Sequence, residues 1–236
     1  MLLSELFDLL TYGELSQVSI GGKNSGGIAA ADYAKVVSHV NMGLTALYTR
    51  FPLRYDEVMI EQQDHLQTYY LQPQFAETNT ESTEPFKYIK DSVYFPFLNN
   101  VIQIVNVFSE MGEERPINKS DDVLSVYVPK FNAVTIPYAM EGNTFSVLYK
   151  GNHEKIIVDG SFDPETVAVE IPEPLVEPLL IYIAGRIVGN MGSTDNLNAS
   201  AQYKSRFELA LLEVENLGLI NNQDLNTDRL LRNGWV

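Results

Sequence analysis

The amino-acid sequence predicts an α+β protein: a helical bundle formed from both chain ends, a large inserted antiparallel β domain of sandwich or barrel type, and an extended C-terminal arm. Three observations carry this expectation. Apolar residues recur at helical spacing near both ends of the 236-residue chain, the middle switches to period-two alternation, and a terminal stretch containing Arg229, Arg232 and the sole tryptophan follows the last helical segment. The expected domains are residues 1–54 with 172–218 as the bundle, 55–171 as the β insertion, and 219–236 as the arm.

The first helix is expected over residues 3–10, where Leu3, Leu6, Phe7, Leu9 and Leu10 keep helical spacing and Ser4 and Glu5 make the first turn polar. A glycine-rich connector follows, with Gly21, Gly22, Gly26 and Gly27 around Lys23, Asn24 and Ser25. The clearest periodicity runs over residues 32–51, from Asp32 at the N-cap through Tyr33, Val36, Val37, Val40, Leu44, Leu47 and Tyr48 to Phe51. Pro52 ends it, because proline has no amide to donate and disfavours helix at the residue before it.

From Tyr55 the period is two. Strands are expected at residues 55–61, 68–71, 86–89, 101–108, 123–128, 133–137, 144–149, 155–158 and 166–171, at sandwich or barrel spacing. The stretch 77–85, rich in Thr, Ser and Glu, reads as a solvated loop. Helix returns after Pro172 and Pro174. Residues 175–188 are apolar around most of the circumference, which predicts a central helix, and a last helix is expected from Thr194 or Asn196 to Leu217, closing at Gly218. The bundle would then join the two ends of the chain.

Composition excludes several function classes. Sixteen Lys and Arg against 31 Asp and Glu give a formal charge of −15, which opposes tight binding to nucleic acid or anionic lipid. With no cysteine there is neither disulfide nor thiolate chemistry, consistent with synthesis in a reducing cytosol. The opening Met1, Leu2, Leu3, Ser4, Glu5 lacks the basic region of a secretory peptide, and the longest apolar stretch falls short of the ~20 residues a bilayer span needs, so no membrane association is expected.

No motif carries catalysis. The 21–27 glycines fail as a phosphate loop, since Asn24 follows Lys23 where Ser or Thr is required, Gln17 stands where glycine is required, and no strand precedes. His39, His65 and His153 are scattered without zinc-ligand spacing, although Asp64 neighbours His65. Gly160 and Ser161 form an ordinary turn rather than a nucleophile elbow. Glu110, Glu113, Glu114, Asp121, Asp122, Glu165 and Glu170 read as solvated surface. The chain is therefore expected not to be an enzyme and to hold no cofactor or metal. Tyr69, Tyr70, Phe86, Tyr88, Tyr94, Phe95 and Phe97 crowd the first half of the β region; core and subunit contacts are the expected use, with stacking on sugar rings as the alternative. In the arm, Arg229, Leu230, Leu231, Arg232 and Trp235 combine the residue types that dominate binding hot spots and are expected to dock on another chain.

Amphipathic helices at both ends, a β-rich insertion between the second and third of them, and a terminal arm together resemble the head-to-tail adaptor proteins of tailed bacteriophages, of the connector-ring or tail-tubular type. The stretch Val40, Asn41, Met42, Gly43, Leu44, Thr45, Ala46, Leu47, Tyr48, Thr49, Arg50, Phe51, Pro52, Leu53 is similar to segments of phage virion proteins. The resemblance implies a homo-oligomeric, dodecameric ring at the head-tail junction of the virion, made in the host cytoplasm, with the portal protein on one side and a tail nozzle or tube protein on the other. It implies portal binding by Arg229, Leu230, Leu231, Arg232 and Trp235, and ring contacts through Tyr33, Val40, Tyr48, Tyr203 and Phe207. The genome would pass through the acidic lumen without specific binding. An insertion as long as 55–171 is larger than the family leads one to expect, and a carbohydrate- or receptor-binding tail module is the alternative function.

Overall fold

The computed structural model describes residues 1–16, 28–138, 142–191 and 194–220. The 21–27 glycine segment, Gly192 and the arm residues Arg229, Leu230, Leu231, Arg232 and Trp235 lie outside them. The described residues divide into two compact units: Met1–Leu53 with those from Lys155 to Ile220, and Arg54–Glu154. The N-terminal segment and the described residues after Glu154 thus belong to one unit and the β region is inserted in it, but the insertion ends at Glu154 rather than at residue 171.

Four α-helices build the first unit: α1 Leu3–Tyr12, α2 Tyr33–Arg50, α3 Val176–Gly189 and α4 Thr194–Asn216. In α1, Leu3, Leu6, Phe7 and Leu10 are buried on one face, each fully buried side chain contributing about 1.5–3 kcal/mol, and the Leu2 amide donates to the Glu5 carboxylate at 2.7 Å across the first turn. α2 stops where Phe51 turns to extended backbone before Pro52. α3 packs against each of the other three helices, in keeping with its apolar circumference.

Glycines set how closely α3 is approached. A Cβ at Gly43 of α2 would come within 2.6 Å of Leu179 Cδ1, one at Gly185 within 2.7 Å of Tyr203 Cβ, and one at Gly189 within 2.7 Å of Ser200 Oγ. Gly185 and Gly189 sit one turn apart, so α4 lies directly against the α3 backbone there, and the Ser200 hydroxyl donates to the Gly185 carbonyl at 2.9 Å.

Residues 155–158 and 166–171 were expected as strands and are not. Their alternation is real, since Ile156, Val158, Val167, Val169 and Ile171 face the apolar core of the helical unit, but that core is what covers them. Side-chain and terminal groups satisfy their backbone: Asn41 Nδ2 donates to the Ile156 carbonyl at 2.8 Å while the Ile156 amide donates to Asn41 Oδ1 at 3.0 Å. The Leu3 amide donates to Val167 O at 2.9 Å and the Val169 amide to Met1 O at 2.8 Å.

The inserted unit holds β1 Tyr55–Glu61, β2 Thr68–Tyr70, β3 Ile89–Lys90, β4 Val101–Ser109, β5 Glu114–Arg115, β6 Tyr127–Lys130, β7 Ala133–Thr135 and β8 Thr144–Gly151. They form a five-stranded sheet in the order β3-β1-β8-β4-β5 and a three-stranded sheet in the order β2-β7-β6, with every pairing antiparallel. The register sets Val58 opposite Val147 and Ile60 opposite Phe145, and the same face of β8 meets Val107 of β4. These side chains share one buried cluster with Tyr69, Leu71 and Val134 from the smaller sheet and the segments beside it. Tyr69 and Tyr88 meet edge to face at 5.1 Å in that cluster, and the Tyr88 hydroxyl accepts from the Tyr70 amide at 2.8 Å and donates to its carbonyl at 3.1 Å.

Candidate assembly surfaces

The groups from which chemistry could be built are dispersed. His39 lies half-buried on α2 with its Nε2 3.4 Å from Asn190 Nδ2, His65 packs edgewise on Phe86 at 4.5 Å, and the His153 ring contacts the Glu154 carbonyl at 2.8 Å. Among the described residues no group of His, Asp and Glu side chains is arranged to hold a metal ion, and no helix is long and apolar enough to cross a membrane. Glu110, Glu113, Glu114, Asp121, Glu165 and Glu170 are exposed, while Asp122 caps the Leu124 amide at 2.9 Å. The carboxyls of Glu14 and Glu215 are held below the usual range by the arginines bonded to them, Arg206 and Arg50. That direction is opposite to the one a general acid requires.

The five side chains expected at a ring interface are engaged within the subunit. Val40, Tyr48 and Phe207 are buried in the helical unit's own core, which corrects that assignment: the helical stripe is real but α1, α3 and the 155–171 segment already cover it. The Tyr48 hydroxyl donates to the Glu170 carbonyl at 2.9 Å. Tyr33 is half-buried between Phe7 and Phe162, at 5.4 and 5.8 Å, and Tyr203 donates its hydroxyl to the Glu14 carbonyl at 3.2 Å beneath the Arg206 guanidinium. On α4 Leu197, Ala201, Leu209 and Leu212 are exposed while Phe207, Leu211 and Val214 are buried, and Leu9, Tyr12, Met42 and Ile157 of the same unit are exposed as well. Arg50 anchors the C-terminal half of α4 to α2, bonding Glu215 at 2.8 Å and Glu208 at 2.8 Å.

The inserted unit carries two more apolar surfaces. Between β3 and β4 the chain forms a hook in which Val93, Tyr94 and Phe95 are 85%, 89% and 83% exposed. It is nevertheless held in shape. The Ser92 and Phe95 backbones bond each other in both directions, at 3.3 and 3.0 Å, and Phe97 turns inward onto Tyr149 at 6.3 Å. At the hook's base Asp91 accepts from the Thr78 amide at 3.0 Å, the Thr78 hydroxyl and the Phe97 amide at 3.1 Å. Burial of Asp91 acts to raise its pKa, but these bonds outweigh it and keep the carboxyl below the usual aspartate range. The second surface is a recess of about 360 Å³ whose walls include Val107, Met111, Val123, Leu124, Tyr138 and Phe145.

Of the aromatic residues singled out in the sequence, Tyr69 and Tyr88 are core, Tyr70 lies 5.4 Å beneath the Lys130 ammonium, and Tyr94 and Phe95 are displayed on the hook. Period-two reasoning grouped them all as one aromatic-rich region. The signal that separates them is Asp91-Ser92 and Pro96, turn-forming residues on both sides of an apolar triplet. No protein-family model matches this chain, and no curated protein sequence matches it either.

Proposed function

We propose that this protein is a structural virion component, an adaptor that forms a homo-oligomeric ring between the capsid portal and the tail of a tailed bacteriophage and lines the DNA exit channel without a reaction to perform. The observation that carries the reading is the joining of both chain ends in one helical unit interrupted by a β insertion, the organisation on which the resemblance rests. With Val40, Tyr48 and Phe207 buried, the ring contact is assigned to exposed apolar residues of α4, Leu197, Ala201, Leu209 and Leu212, against a neighbouring copy. The two sheets of the insertion, sharing one core, are read as the halves of a β-sandwich available to the tail nozzle or tube, and residues 219–236 as the arm that reaches the portal.

The formal charge of −15 per chain fits a channel through which DNA slides without adhering. Size-exclusion chromatography with light scattering tests the reading: a closed ring, alone or on adding portal, is the expected result, and a chain that stays monomeric with portal present refutes it. Ending the chain after Asn222 should abolish portal attachment. The exposed Tyr94 and Phe95 favour a second reading, a carbohydrate-binding tail module, which specific retention on a glycan array would support.

A further inference from the structure

We infer that an extended segment of a partner protein, carrying a lysine or arginine, is added as a strand to the open edge of β1 in the inserted unit. The ladder between β3 and β1 is two pairs long, Met59 with Lys90 and Ile60 with Ile89. Two residues further along each strand the same register would set Ser92 opposite Glu57. The chain does not continue that way, because Ser92 and Phe95 bond each other and the hook carries residues 93–95 out into solvent. What it leaves beside β1 is a groove of about 790 Å³, within the size range of ligand pockets. Residues 54–59 line it together with 90–92 and 94–98, so β1 forms one wall and the hook another.

Alternation along an antiparallel strand decides which backbone groups face this groove. On the β8 side the Gly151 amide donates to Arg54 O at 3.0 Å and the Gln62 amide to Asn143 O at 2.7 Å, whereas the Glu61 amide donates to Tyr88 O at 2.9 Å on the β3 side. Even-numbered residues of β1 therefore turn to β8, and Glu57 turns its amide and carbonyl to the groove. Neither group has a hydrogen-bond partner among the described residues. An extended residue laid opposite satisfies both, donating its amide to Glu57 O and accepting from Glu57 N. The other edges are built against such pairing. β4 is broken by two register shifts against β8, β6 carries Pro129, and β2, β3 and β5 are only two or three residues long. β1 instead pairs with β8 from Tyr55 to Glu61 without a shift.

Charge selects the segment. Arg54 is bound to Asp56, Lys90 to Glu61 and Glu77, and Asp91 accepts three hydrogen bonds, whereas the exposed Glu57 carboxylate has no ion-pair partner among the described residues. A lysine or arginine on the residue laid opposite becomes its cross-strand neighbour, and a basic segment is the kind that a chain at −15 attracts. Tyr94, Phe95 and the half-exposed Met59 offer apolar surface to the segment's other side chains. Asp91 already holds the hook in shape, which lowers the ordering cost of binding.

The probe is a bead-bound library of random eight-residue peptides, sorted with the full chain. Peptides with a lysine or arginine among apolar residues are expected to be enriched. One of them at about 100 times its Kd should slow hydrogen exchange of the Glu57 amide by about tenfold or more. N-methylation of the peptide's basic residue removes the donor that meets Glu57 O and should weaken binding by about tenfold, with the protein unaltered. Glu57→Pro removes the matching amide without touching a bond to β8, and Phe95→Asp puts a charge on the exposed hook. Each should weaken binding by a similar factor, with circular dichroism spectra matching the parent's. Peptides that leave Glu57 exchange unchanged or tolerate N-methylation overturn the inference, as does a library from which none is enriched. A sugar that shifts the Tyr94 and Phe95 resonances while no peptide is enriched also overturns it and assigns the groove to the carbohydrate reading. No portal or tail protein takes part, so the outcome is separate from that of the adaptor reading.

Discussion

Replacing Gly185 with alanine tests how tightly the two C-terminal helices are apposed. The new Cβ would stand 2.7 Å from Tyr203 Cβ and 3.5 Å from its Cγ. Unmodified carbon pairs rest at about 3.5–4.0 Å, so a retreat of roughly 1 Å is required. Tyr203 Cβ is fixed to the α4 backbone and cannot swing aside, so α4 itself must move and loosen Phe207, Leu211 and Val214 behind it. Overpacking of this kind costs about 1–3 kcal/mol. Alanine for glycine inside a helix returns about 0.8–1.0 kcal/mol, leaving a net loss between about 0 and 2 kcal/mol. For a unit of this size that lowers the transition by about 4 °C per kcal/mol. Far-UV circular dichroism, dominated by the helices, reads it. Gly160→Ala is the control, because nothing lies within 4 Å of a Cβ there, and it should leave stability unchanged or raise it by up to ~1 kcal/mol. A Gly185→Ala protein more stable than the parent, as Gly160→Ala is expected to be, would refute the close apposition.

Three further outcomes are expected. Tyr88→Phe removes the hydroxyl that satisfies both the amide and the carbonyl of Tyr70, so the inserted unit should lose about 1–3 kcal/mol in urea unfolding, and a loss under ~0.5 would show those groups are satisfied otherwise. A double-mutant cycle of Arg50→Ala with Glu215→Ala should return a coupling of about 0.5–1 kcal/mol that shrinks at 1 M salt; a coupling unchanged by salt would contradict an ion pair at the surface. Burial, and after it the Arg186 guanidinium, hold the His39 imidazole below its ordinary range. A depressed folded-state value makes its contribution complete above the unfolded histidine value of about 6.5 and lost as pH falls through the lower folded value. Thermal melts on acidification from neutral pH should therefore show a decline that His39→Gln reduces, and parallel profiles for the two proteins would rule it out.

The helices were legible to within a residue or two because each keeps its period for several turns and meets a chemical stop: Pro52 after α2, Gly218 after α4. β1, β4 and β8 were legible for the same reason in period two. The failures are also physical. Alternation at 155–158 and 166–171 reports that one face is buried and leaves open by what, and here the cover is helices rather than a neighbouring strand. The two-residue β5 carries no periodicity to read. Val40, Tyr48 and Phe207 were expected to face another copy on the strength of a stripe that says only that a partner exists, and each is buried within its own chain, Tyr48 against Glu170. The hook was invisible because Val93, Tyr94 and Phe95 have core-type side chains, and only the turn residues around them mark their display.

Arg54 opens the inserted unit and Glu154 closes it, and just inside those limits the Gly151 amide donates to the Arg54 carbonyl at 3.0 Å. Entrance and exit are thus zipped together as neighbouring strands, which run ~4.8 Å apart. The insertion thus leaves and re-enters the chain of the helical unit at adjacent points. A lineage could therefore trade one such insertion for another while keeping the sequence that forms the helical core.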